Sequence, residues 1–115
     1  MASSPKFLQG VFPFNGTGLD KRELIDESMV YIVPAGVIAQ PLYLRGGNSS
    51  DELIVVTLLR DGQPMRLFPV GARASVNVPL RVVEDVDPDT RLELTIAAPA
   101  GTTGDVVIDF GLMEV

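Results

Sequence analysis

The chain has no histidine, no cysteine and no tryptophan in 115 residues. Nucleophilic catalysis needs an activated Ser, Thr or Cys, and its usual base is His. A Ser–Lys pair would have to draw on Lys6 or Lys21, both in the irregular N-terminal part. No Gly-x-Ser-x-Gly elbow and no phosphate-cradling Gly-Lys-Ser/Thr loop occurs. Zinc, copper and haem sites lose their main protein ligands. The carboxylates Glu84, Glu93, Asp105 and Asp109 could in principle pair for glycosidase chemistry. Glu93 and Asp109, however, fall on the polar faces of predicted strands, and two tyrosines leave little to stack on sugars. No base, nucleophile and stabiliser can be assembled, so the expectation is a protein that is not an enzyme and holds no cofactor.

Positive charge is also scarce. Nine basic residues face fifteen acidic ones, for a net charge of −6. Only Lys21 and Arg22 are adjacent, and Asp20 and Glu23 flank them. Nucleic-acid binding rests on Lys and Arg neutralising phosphates, so it is not expected. No apolar run approaches the ~20 residues of a membrane-spanning helix. The N-terminal stretch makes a poor signal peptide, and synthesis in a cytoplasm is the expectation. The absence of cysteine removes a disulfide scaffold without fixing the compartment.

What the chain does have is strand-like apolar runs cut by Gly, Pro and Asp. Met29–Val33 ends at Pro34-Ala35-Gly36, and Val37–Arg45 carries Pro41, which requires an edge or a bulge. Gly46–Ser50 reads as a loop. Arg60-Asp61-Gly62-Gln63 is a hairpin signal, because Asp-Gly readily takes the positive φ angles of a type I′ turn. The return strand Gln63–Val70 has Pro64 and Pro69 and belongs on an edge. Three later stretches alternate with period two. Ala74, Val76, Val78 and Leu80 share a face, as do Leu92, Leu94 and Ile96, and Val106, Ile108, Phe110 and Leu112. This is the pattern of antiparallel sheets covering a core. The predicted fold is all-β, an antiparallel two-sheet β-sandwich of jelly-roll or Ig-like Greek-key type. Leu19–Ser28 is the one helix candidate, expected as a single turn or a loop, with Asp20 as its cap.

Residues 1–18 read as an extended apolar N-terminal arm, with the sandwich at 19–115. Three of the five phenylalanines, Phe7, Phe12 and Phe14, lie in this arm with Leu8 and Val11. It is too apolar to float free, so it folds back as an edge strand or lid, or docks on a neighbouring subunit. Leu53–Leu59 is apolar on both faces, which calls for a cover on the second one: the arm or another subunit. A central strand with tolerated β-branched residues is the alternative. The candidate interface residues are Phe7, Leu8, Val11, Phe12, Phe14, Leu53, Val55 and Leu59. Asp85, Asp87 and Asp89 have the opening spacing of an EF-hand loop, but Thr90 and Ile96 stand where Gly and Glu are required. A looser calcium site there competes with a solvated Asp87–Thr90 turn. Asn15-Gly16-Thr17 and Asn48-Ser49-Ser50 are glycosylation sequons that read as loop residues.

The Phe7–Phe14 arm, the Phe68–Pro79 turn-and-strand and the Pro99–Phe110 hairpin together carry a family likeness. On these architectural features, over most of its length, the chain resembles the small decoration (cement) proteins of tailed bacteriophages. The resemblance implies a jelly-roll-like protein on the virion surface, made in the host cytoplasm. It implies homo-oligomers, trimers or dimers, that clamp subunits of a major capsid protein. A carbohydrate-binding or adhesion sandwich is the alternative function, and an accessory domain of an enzyme is a third.

Overall fold

A computed structural model describes residues 3–115; Met1 and Ala2, the first residues of the expected arm, lie outside the described residues. The described residues form nine strands: β1 (Ser4–Asn15), β2 (Gly18–Leu24), β3 (Val30–Ile32), β4 (Ala39–Asn48), β5 (Ile54–Arg60), β6 (Gln63–Val70), β7 (Ser75–Pro79), β8 (Arg91–Ala98) and β9 (Thr103–Glu114). One sheet has the order β1-β9-β4-β7, and the other β2-β8-β5-β6, with β3 also pairing β8. Every pairing is antiparallel. Apart from the β5–β6 hairpin and the β2–β3 step, consecutive strands change sheet. This is the winding of a jelly roll and not of an Ig-like Greek key.

Alternation builds the core. Val106, Ile108, Phe110 and Leu112 of β9 point inward and meet Leu92, Leu94 and Ile96 of β8 and Ile54, Val56 and Leu58 of β5 in one cluster. The Asp61-Gly62 turn has φ values of 47° and 81°, the positive pair that a type I′ hairpin requires. Pro41 sits in an internal strand, and the register of β4 against β9 shifts between Pro41 and Tyr43. The bulge thus absorbs the missing N–H.

The N-terminal segment is β1, paired with β9 over its full length. Leu8, Phe12 and Phe14 turn toward the core and pack on it. The segment is therefore the edge strand of its own sandwich.

Two local readings need correction. Leu19–Ser28 is mostly strand β2, followed by a 3₁₀ turn at Glu27–Met29. Its cap is Asp26 rather than Asp20: the Asp26 carboxylate accepts from Ser28 N at 2.9 Å and Ser28 Oγ at 2.6 Å. Gly46 and Gly47 are strand and not loop, because β4 runs on between β9 and β7 to Asn48.

Asn48 ends that strand as a buried hub. Its Nδ2 donates to Glu52 O at 2.8 Å and Gly71 O at 3.1 Å, while its Oδ1 accepts from Ser50 N at 2.9 Å and Ser50 Oγ at 2.7 Å. This closes the β4–β5 and β6–β7 connections on each other. It also makes the second sequon inaccessible, since the amide nitrogen is enclosed and bonded. Asn48→Ala leaves several buried backbone groups unpaired and is expected to lower the unfolding free energy by about 2–3 kcal/mol. Urea unfolding with an unchanged slope is the measurement; a loss under about 0.5 kcal/mol would mean the hub carries no load.

Candidate interaction surface

The outer face of the β1-β9-β4-β7 sheet is laid out in rows by the strand register. Phe7, Gly111, Tyr43 and Pro79 lie side by side across the four strands. The next row is Gln9, Asp109, Arg45 and Asn77, and the third is Val11, Val107, Gly47 and Ser75. A polar row is thus held between two apolar ones. Phe7 is 52% exposed, Val11 63% and Val107 46%, so the apolar rows meet solvent.

The polar row is tied down. Asp109 Oδ1 accepts from Gln9 Nε2 at 3.0 Å and from the Tyr43 hydroxyl at 2.9 Å. Its Oδ2 faces Arg45 Nη1 at 3.7 Å. The Arg45 guanidinium stands 5.0 Å from the Tyr43 ring centroid. Tyr43 lies flat because Gly111 leaves room for it: a Cβ on Gly111 would come within 2.1 Å of the ring. Burial and the Asp109 carboxylate together push the Tyr43 hydroxyl pKa up. With both carboxylate oxygens engaged, Asp109 serves as a brace. Gly47 leaves a depression of about 500 Å³ beside it, lined by Arg45, Ser75, Asn77 and Val107.

The other sheet resolves the two-sided apolar strand. In its outward rows, Thr57 of β5 stands between Thr95 and Leu67, and Leu24 follows Thr95. Thr57 is 4% and Leu59 8% exposed, so flanking strands of the same chain already close this face around them. The Phe-rich segment does not cover it, since β1 lies in the opposite sheet. Val55 is half-buried, and Leu53 precedes β5 and is exposed. Of the eight candidate interface residues, Phe7, Val11 and Leu53 are open, Leu59 is closed, Val55 is half-covered, and Leu8, Phe12 and Phe14 serve the core.

The acidic loop is arranged for folding. Val86 is buried and exchanges backbone bonds with Ala39 at 2.8 and 3.0 Å. Asp85 Oδ1 accepts from Gln40 Nε2 at 2.8 Å, and Thr90 N donates to Asp87 O at 3.3 Å, closing the expected turn. Among the described residues no three acidic side chains are gathered where they could hold a metal ion. Asp85, Asp87 and Asp89 therefore do not converge.

The charged groups give a pH profile. Hydrogen bonds from Ser28 hold the Asp26 carboxyl below the usual range, and Arg73 does the same for Asp51 through a hydrogen bond and its charge. A depressed carboxyl stabilises above its unfolded pKa of about 3.9, and that contribution is lost as pH falls through the folded value. Burial, with the Glu114 carboxylate that accepts its hydrogen bond, pushes the Tyr31 hydroxyl well up. That contribution is present below about pH 10 and is lost as pH rises through the raised value. No histidine titrates between. Melting temperature is expected to stay level from about pH 5.5 to 8 and to decline below about pH 4 and above about pH 10. A slope across the neutral range in a thermal-unfolding series would contradict this.

No family model matches the sequence, and no curated protein matches it. Solved structures share its fold, among them two with a TM-score above 0.5. The CBM36-1 carbohydrate-binding domain of a multidomain xylanase from the hindgut metagenome of Trinervitermes trinervoides superposes with a TM-score of 0.54 at 16% identity, covering 96% of each chain. A chain from the structure of infectious bursal disease virus, Gt strain, gives a TM-score of 0.51 at 14% identity, covering 97% of this chain and 32% of that one. This protein thus spans about a third of the viral chain's length. At these identities the likeness is one of fold, and a jelly roll hosts many functions.

Proposed function

We propose that the protein is a non-enzymatic structural jelly roll that associates with its own copies and with a larger protein assembly. The specific reading is a virion capsid decoration protein that sits on neighbouring subunits of a major capsid protein. The observation that carries it is the pair of apolar rows, Phe7 with Tyr43 and Val11 with Val107, left open beside the edge strand β1. A monomer gains nothing by exposing them, and exposed apolar rows on either side of a braced polar one suit a protein contact. The fold suits the role, since jelly rolls recur in viral capsid domains.

The test is co-sedimentation with capsids assembled from the major capsid protein of the same genome. Binding that is lost with Phe7→Asp/Val11→Asp supports the reading, and no binding by the folded wild type overturns it. Deleting residues 1–18 is a poor substitute, because it strips β1 and its Leu8, Phe12 and Phe14 from the core.

A second reading is a carbohydrate-binding module of the same fold. The Arg45–Asp109–Asn77 row beside the Gly47 depression favours it, since fixed polar groups in a shallow hollow suit sugar hydroxyls. Against it, the Tyr43 hydroxyl is already committed to Asp109. A glycan array with and without calcium discriminates: selective binding lost in Arg45→Ala favours this reading, and an empty array removes it.

A further inference from the structure

The sheet edges are not equally closed, and the backbone bonding shows where one stays open. Gly16 N donates to Thr102 O at 2.6 Å in the register that β1 keeps with β9. Antiparallel strands alternate, so the even-numbered residues of β1 bond to β9 and the odd-numbered ones turn their N–H and C=O to the open side. Pro5 and Pro13 are both odd, as an edge strand requires. Between them the N–H groups of Phe7, Gln9 and Val11 face outward in an uninterrupted row.

The other edges are blocked sooner. Asp61 N donates to Arg91 O at 2.8 Å, which by alternation turns Leu67 and Pro69 of β6 outward. A register break near Pro64 leaves Leu67 alone there. Asn48 N donates to Ala74 O at 3.0 Å and Leu80 N to Leu42 O at 2.7 Å, which turns Ser75, Asn77 and Pro79 of β7 outward. In β2 the pairing breaks between Gly18 and Glu23. Proline or irregularity thus limits every edge, and the middle of β1 keeps the longest run of donors.

We infer that this window pairs with β1 of a second copy, antiparallel about a two-fold axis at Gln9, joining two four-stranded sheets into one. The inference rests on the self-association proposed above and names its contact. The window is self-complementary. With Gln9 opposite Gln9, Phe7 falls opposite Val11, and Pro5 falls opposite Pro13, where neither residue has an N–H to give, so the ladder runs from Phe7 to Val11 and stops at the same point at both ends. The open donors all find carbonyls, and the exposed side chains of Phe7 and Val11 cover each other twice. Charge agrees: no acidic residue precedes Asp20, so Lys6 is the only charge on β1 in a chain of net charge −6. Two acidic copies meet there without like-charged carboxylates in register. A shared axis of this kind gives a closed, isologous dimer.

The absence of native cysteine makes the test direct. In a hydrogen-bonded antiparallel pair the Cα atoms are about 5.5 Å apart, within disulfide range. Gln9→Cys under mild oxidation is expected to form a covalent dimer, while Asn15→Cys, about 40 Å from its counterpart in this register, stays monomeric. Gln9→Pro keeps the bonds to β9, since residue 9 faces outward, and is expected to abolish association in a protein that still folds by circular dichroism. If the wild type associates but Gln9→Cys fails to cross-link, or Gln9→Pro still associates, the β1 pairing is overturned and the self-association reading stands. A wild type that is monomeric at every concentration overturns both.

Discussion

Phe110→Ala is expected to lower the unfolding free energy by about 3–5 kcal/mol. Phe110 is fully buried in the middle of β9, with Leu8 of β1 and Leu44 of β4 as its register partners. It is the largest of the fully enclosed side chains, and it faces the opposite sheet across the core. Truncation leaves a cavity that strands held by two ladders cannot collapse into, so the transfer and cavity contributions add. A domain of this size has a total stability of about 6–17 kcal/mol, so the loss is a large fraction of it. Phe110→Leu, which keeps most of the volume, is expected to lose less than half as much. Urea unfolding of the three proteins measures this. A loss below about 1 kcal/mol for Phe110→Ala would mean that the sandwich is not organised around β9.

The double variant Phe7→Asp/Val11→Asp is expected to act the other way, sparing the fold and removing association. Both side chains stand on the outer face, so neither substitution opens a cavity, and the unfolding free energy is expected to change by less than about 1 kcal/mol. In an associated state the two side chains are covered, and each contributes about 1.5–3 kcal/mol of burial. Replacing them with carboxylates removes that gain and adds like charge to a chain already at −6. The expected weakening of self-association is about a hundredfold or more. Analytical ultracentrifugation reads it, with the urea midpoint as the check on folding. Unchanged association in a folded double variant would place the contact elsewhere.

The sandwich was readable from the sequence wherever one face is apolar and the other polar. Val106 to Leu112, Leu92 to Ile96 and Val76 to Val78 all point as their alternation requires. The Asp61-Gly62 hairpin was readable for the same reason: local chemistry decides it. Gly46-Gly47 misled, because glycine marks loops locally and here sits inside a sheet beside Val107, which a Cβ on Gly47 would approach to 3.3 Å. The spacing of Asp20 and Glu23 suggests a cap at Asp20, whereas Asp26 caps the turn, because a carboxylate two residues before Ser28 closes on its N–H in any extended chain that bends there. Leu59 is closed in by β6 and β8 on either side, and the β8 flank is visible only once the sheet order is known. The outer-face rows were half legible. Val107 and Gly111 broke the polar face of β9, which was the signal, but their partners Val11 and Tyr43 appear only once register is known. The prolines at 5 and 13 were visible from the start; what they delimit depends on which way the backbone of β1 turns.

For a chain that lacks histidine, cysteine and tryptophan, we propose that contact surfaces carry the function. Sedimentation equilibrium of the intact protein across a range of concentrations tests that claim most directly. The expected mass is a multiple of 12.3 kDa that falls toward the monomer on dilution or in Phe7→Asp/Val11→Asp. A single species of 12.3 kDa at every concentration would contradict it.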